Sequence, residues 1–209
     1  MHTHYHAPQP VTFEDCIKFH GHSCPGLAFG YRAAITAMEA LGVTRPEDEE
    51  LVAICETNAC GIDAIQVVAG TTAGKGNLIV HDYGKHVFTF FNRKNKKSVR
   101  ICINTHDATE REDFAQLREK VFGGKATKEE EAAFDKVKQD VTNHVLTAPL
   151  KSVLDMQEVQ IDSPKEARIF ASITCECCGE AVADAKTRKV KGKCVCIPCA
   201  EGKPFSKKK

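Results

Sequence analysis

The sequence predicts an α+β fold: an antiparallel-containing sheet with packed helices over residues 1–168, then a small four-cysteine zinc-finger domain over 169–209. Three observations carry this. Apolar residues recur at helical spacing over 25–41 and again over 127–146. Short β-patterned runs separated by brief turns fill 78–103, the pattern of antiparallel strands. Two Cys-x-x-Cys pairs stand near the end of the chain. At 209 residues, 42% of them apolar, the chain is long enough for one substantial core and one small unit.

Taken in order, residues 13–19 form a short amphipathic segment with Cys16 packed inward. Residues 25–41 place Leu27, Tyr31, Ala34, Ile35, Met38 and Leu41 on one helical face, and Gly42 suits the position just past the end. Gly30 inside that helix predicts a close backbone approach. Arg32 falls on the polar face, where it is either solvated or an anion ligand. Residues 51–56 read as a buried strand, and a second helix begins after Cys60 and stops at Gly70. Strands follow at 78–81, 86–91 and 99–103, with His81, His86, Cys102 and His106 read as structural. A helix over 110–121 ends at Gly123-Gly124, and Thr127-Lys128-Glu129-Glu130 is a capping box that opens a long helix. Residues 150–156 read as a further short helix, 159–161 as an edge strand, and 163–168 as a linker.

Composition excludes several classes. A net charge of +1 argues against a broad nucleic-acid surface, and Lys207-Lys208-Lys209 reads as a solvated tail. No apolar run is long enough to span a membrane. Residues 1–6 lack the apolar stretch of a secretion signal, so a cytoplasmic location is expected; His2, His4 and His6 there read as a solvated terminus. Six of the eleven cysteines crowd the last 35 residues, which in a reducing compartment points to metal rather than disulfides. Cys175-x-x-Cys178 and Cys196-x-x-Cys199 lie seventeen residues apart, the spacing of a four-cysteine zinc site, with Cys177 and Cys194 as extra thiols. Four protein ligands leave no open position, so that zinc is structural, and it would supply much of the folding free energy of so small a segment.

The second candidate site is Phe19-His20-Gly21-His22-Ser23-Cys24-Pro25-Gly26. Imidazole and thiolate are ligands for zinc, iron or nickel, Gly21 permits a turn at positive φ, and Pro25 fits the first position of a helix capped by Ser23 or Cys24. Cys60 is placed like Cys24, at the start of a helix, and Asp63 in the first turn could orient a ligating histidine. A metal shared by His20, His22, Cys24 and Cys60 is the expectation, with Asp63 or Glu56 as candidate general base if the metal has an open position. Gly74, Lys75, Gly76 and Asn77 could hold a small anionic ligand, although the loop lacks the spelling of a Walker A phosphate loop.

Together these motifs, with Cys60-Gly61-Ile62-Asp63-Ala64-Ile65-Gln66, Gly74-Lys75-Gly76-Asn77-Leu78 and Asp82-Tyr83-Gly84-Lys85, resemble the FmdE-like family, whose namesake is one of the subunits of formylmethanofuran dehydrogenase. The resemblance covers roughly residues 12–105. It implies an α+β core, a C-terminal treble-clef zinc finger, a homodimer, and an association with molybdenum or tungsten formylmethanofuran dehydrogenase in one-carbon metabolism. It also implies a core metal at His22, Cys24 and Cys60 together with His20. Two functions follow as expectations: a metal-dependent accessory protein of one-carbon metabolism, or a non-catalytic metal- or cofactor-binding module whose zinc finger docks a partner protein.

Overall fold

The computed structural model describes residues 11–104 and 112–203. The expectations placed on His2, His4, His6, His106 and Lys207 to Lys209 lie outside the described residues. The chain divides into two compact units, Met1–Glu166 and Ala167–Lys209.

In the first unit, α1 (Phe13–His20) and α2 (Pro25–Leu41) precede β1 (Leu51–Cys55) and α3 (Gly61–Ala69). Strands β2 (Leu78–Val80), β3 (Val87–Asn92) and β4 (Ser98–Ile103) follow, then α4 (Glu112–Phe122), α5 (Lys128–Thr147), the single turn α6 (Leu150–Val153) and β5 (Leu154–Val159). Local chemistry sets several boundaries. Thr12 and Asp15 form a capping box on α1, Thr127 and Glu130 form one on α5, and Gly42 ends α2 in the left-handed region at φ 61°.

The five strands form one sheet in the order β2-β1-β3-β4-β5. β1 pairs parallel with β2 and antiparallel with β3, and β3–β4 and β4–β5 are antiparallel. Short turns predict consecutive neighbours, but β1 lies between β2 and β3. β1 is almost wholly buried and β3 entirely so, and such strands belong in the middle of a sheet. The cross-strand rows Ala53–Phe90–Val99 and Cys55–Phe88–Ile101 face the helices and join their core. Residues 154–156, expected to end the short helix, instead open the edge strand β5, so the edge strand expected at 159–161 starts at Leu154 and ends at Val159. Pairing of Ile101 with Met156 and Ile103 with Leu154 completes the sheet, and those non-local bonds outweigh a weak local helical pattern.

The second unit consists of the hairpins β6–β7 (Ser172–Thr174, Ala181–Ala183) and β8–β9 (Thr187–Val190, Lys193–Cys196), then one helical turn, α7 (Ile197–Ala200). Among the described residues its buried core is Cys175, Val195 and Cys196, too little apolar surface to order it unaided.

Candidate metal centre

Two helix starts build the core site. Gly21, at φ 96°, donates its N–H to Ile17 O and ends α1 directly after His20. The chain reverses through His22 and Ser23, and Cys24 caps α2, its Sγ accepting from Leu27 N at 3.4 Å ahead of Pro25. Cys60 occupies the equivalent position before α3. The two helices meet backbone to backbone. A Cβ on Gly30 would stand 2.2 Å from Gly61 O, and one on Gly26 would stand 3.4 Å from Cys60 Cβ. Glycine is therefore required where the helices cross, and that crossing sets Cys24 beside Cys60. His20, His22, Cys24 and Cys60 each bring one ligand atom to within 4.8 Å of the others.

Asp63 fixes the role of His20. Its Oδ2 lies 2.7 Å from His20 Nδ1, and Gln66 Nε2 donates to Oδ1 at 3.2 Å. A carboxylate at Nδ1 favours the tautomer protonated there and leaves a lone pair on Nε2. Nε2 is buried and has no hydrogen-bond partner. A buried polar atom without a partner costs about 1–3 kcal/mol, and a cation in the cluster would relieve that cost. Burial lowers the His22 pKa, and the neighbouring His20 and Lys138 act in the same direction, which favours the neutral imidazole. Burial pushes the Cys24 thiol up to about 11, and adjacent Cys60 adds to this. The donor set of two imidazoles and two sulfurs fits zinc or another soft to borderline transition metal, whose binding would displace thiol protons.

A cavity of about 650 Å³ opens against this cluster, with His22, Cys24 and Cys60 in its wall. The far side is supplied by Phe114 and Phe122 of α4 and Phe134 of α5. His86, read as structural, lines the same cavity. The sequence motifs did not identify this wall. Phe122 is 79% exposed and leaves its ring open on this cavity. Arg32 holds the wall in place. Its guanidinium donates to Val145 O and Leu146 O at 2.8 Å and to Ala148 O at 3.1 Å, closing the C-terminal end of α5 over α2. Its role is therefore a helix cap, not an anion ligand.

Asp63, Glu56, Gly74, Lys75, Gly76 and Asn77 do not line this cavity. Glu56 pairs with Arg100 at 2.9 Å and lies 3.9 Å from Lys85. Asn77 is buried, accepting from Thr72 N and donating to Leu51 O at 2.9 Å each, while Lys75 Nζ donates to Asp48 O at 3.2 Å. These groups brace the loop before β2 against the segment entering β1.

In the second unit, Cys175, Cys178, Cys196 and Cys199 also place their sulfurs within 4.8 Å of one another. Gly179, at φ 79°, allows its N–H to reach Cys175 O across the turn. Lys191 and Gly192, both at positive φ, make the β8–β9 turn. The backbone N–H groups of Cys178, Cys196 and Cys177 pull the Cys175 pKa down to about 6, so this sulfur is ready to bind as thiolate. The Cys199 thiol is pushed up by desolvation and by its hydrogen bonds to the neighbouring cysteine sulfurs. Cys177 and Cys194 are outside the cluster.

The family model FmdE, described as "Molybdenum formylmethanofuran dehydrogenase operon", matches residues 19–155. The chain belongs to the FmdE family. The match takes in the whole core ligand set and ends within β5. A protein of Archaeoglobus fulgidus named a probable S-adenosyl-L-methionine-binding protein is 32% identical over 189 residues, covering 88% of this chain and 50% of that protein. The chain thus spans about half the length of that curated relative. The crystal structure of a tungsten formylmethanofuran dehydrogenase FmdE-like protein from Syntrophus aciditrophicus matches with TM-score 0.60 at 21% identity, covering 94% of this chain and 96% of that one. That likeness establishes a shared FmdE-like fold.

Proposed function

We propose that this FmdE family member binds a transition metal through His20, His22, Cys24 and Cys60 and holds a structural zinc through Cys175, Cys178, Cys196 and Cys199. The observation that carries the core assignment is His20 Nε2, buried without a partner among three further soft donors and set in its tautomer by Asp63. Asp63 serves as the orienting carboxylate. The cavity beside the cluster favours small-molecule chemistry or binding at the metal, with the cation as a Lewis acid where a coordination position opens. The family description names a molybdenum formylmethanofuran dehydrogenase operon, which supports a role associated with that enzyme, and the family resemblance extends this to one-carbon metabolism. The hairpins and short helix of the second unit suit a treble-clef finger that docks a partner protein, and a homodimer accords with the family resemblance.

Elemental analysis tests the assignment. The protein should carry two metal equivalents. Cys24→Ala/Cys60→Ala should lose one and Cys178→Ala/Cys199→Ala the other. Two equivalents in either variant would overturn the corresponding site. A second reading draws on the Archaeoglobus relative: the aromatic wall of the cavity suits the adenine ring of S-adenosyl-L-methionine. Calorimetric titration with that compound decides it, since an absence of heat at millimolar ligand would exclude the reading.

A further inference from the structure

The metal cluster and the α4–α5 pair share one cavity, and what lies between them defines a ligand. We infer that the cavity binds a planar aromatic small molecule carrying a metal-binding donor such as an imidazole or thiolate. The donor is directed at the cation of the core site and the ring lies against Phe29, Phe122 and Phe134. The inference rests on the metal assignment above and deepens it.

Four observations point the same way. First, three of the four ligand-bearing residues form part of the cavity wall, so a molecule inside reaches the metal directly. His22 is the exposed member of the set and the one an incoming donor can displace; a fifth ligand is the alternative route. Second, Phe29, Phe114 and Phe134 are almost fully buried, whereas Phe122 leaves most of its ring open on the same cavity. An uncovered ring beside buried ones is apolar surface that a ligand would remove from water. Third, the wall is already arranged for aromatic contact. Phe114 stacks on Phe134 with centroids 5.6 Å apart and Phe122 meets Phe134 edge-on at 6.1 Å, so an added ring extends an existing cluster. Fourth, a volume of about 650 Å³ suits a small molecule. A charged ligand without an apolar body would leave the phenylalanine wall wet.

The test compares imidazole with 4-phenylimidazole on the full-length protein loaded with cobalt(II). Binding is read from the visible bands that Cys24→Ala/Cys60→Ala protein lacks. The expected result is that 4-phenylimidazole binds at least about tenfold more tightly, the effect of covering one phenyl ring. Phe122→Ala, a change at an exposed position, should remove most of that preference and leave imidazole affinity unchanged. Equal affinity for the two probes, or a preference that survives Phe122→Ala, would overturn the aromatic site while the metal assignment stands. If neither probe perturbs the bands, the cation has no face on the cavity and the inference fails. Uptake of a single cobalt equivalent would instead refute the core metal itself.

Discussion

Replacing Gly30 by alanine should cost this protein its core metal without touching the tail site. A Cβ there would lie 2.2 Å from Gly61 O, 2.5 Å from Gly61 Cα and 2.7 Å from Gly61 C, all backbone atoms that no rotamer change can move. Ordinary van der Waals contact begins at 3.4 Å, so α2 and α3 must part by about 1.2 Å at their crossing. Alanine in place of glycine within a helix gains roughly 1 kcal/mol of propensity, while overpacking of this kind costs roughly 1–3 kcal/mol. The net loss of stability is therefore modest, about 0–2 kcal/mol, and the protein still folds. The metal is far less tolerant. Cys24 rides on α2 and Cys60 on α3, and metal–ligand distances hold within about 0.2 Å, so a separation several times larger breaks the donor set. The assay is metal content after dialysis against a weak chelator, with urea unfolding alongside. Gly74→Ala is the control, since nothing lies within 4 Å of its Cβ position and the backbone there is not left-handed. Two retained equivalents and an unchanged urea midpoint in Gly30→Ala would refute the claim that this glycine contact assembles the site.

Two further outcomes follow from the same geometry. Asp63→Asn keeps the size of the side chain but removes the charge at 2.7 Å from His20 Nδ1, so core metal affinity should fall about 10–100-fold; competition with a chromophoric chelator measures it, and a change below twofold would contradict the orienting role. The second concerns pH. Burial pushes the Cys55 thiol up to about 12 from 9.0, so below pH 9 the thiol is neutral in both folded and unfolded chains and its contribution is fully present. Above pH 9 only the unfolded chain ionises, and stability falls as pH rises toward 12, by up to about 1.4 kcal/mol per pH unit. Urea midpoints at pH 8.5, 9.5 and 10.5 should drop more steeply for the native sequence than for Cys55→Ala, and parallel curves would count against the shift.

Much of the core site can be read from the residues because its parts are local. His20, His22 and Cys24 share one turn, and the residue types that shape the turn, Gly21 and Pro25, sit between and beside them. Cys60 is a candidate because it precedes a helix as Cys24 does, and Gly30 announces a close approach without naming its partner, Gly61. The cavity wall was not legible. Phe114 and Phe134 lie on helices whose patterns show an apolar face but do not say what it meets, and it is Arg32, bonded more than a hundred residues away, that ties α5 to α2.

The sequence by itself determined the α2 boundaries, the membership of the two cysteine-bearing clusters that could hold a metal, the glycine stops after α2 and α3, and the Thr127 cap of α5. These depend on side-chain period, on ligand spacing and on φ values only certain residues accept, all satisfied within a few positions of the chain. The tertiary structure alone decided that β1 separates β2 from β3, that residues 154–159 close the sheet, that His20 rather than His22 is the histidine Asp63 meets, and that a phenylalanine wall faces the His/Cys cluster. Each of these joins distant segments. Such contacts are settled by which apolar surfaces and hydrogen-bonding groups can be satisfied together once the whole domain is packed, a condition no short stretch of sequence contains.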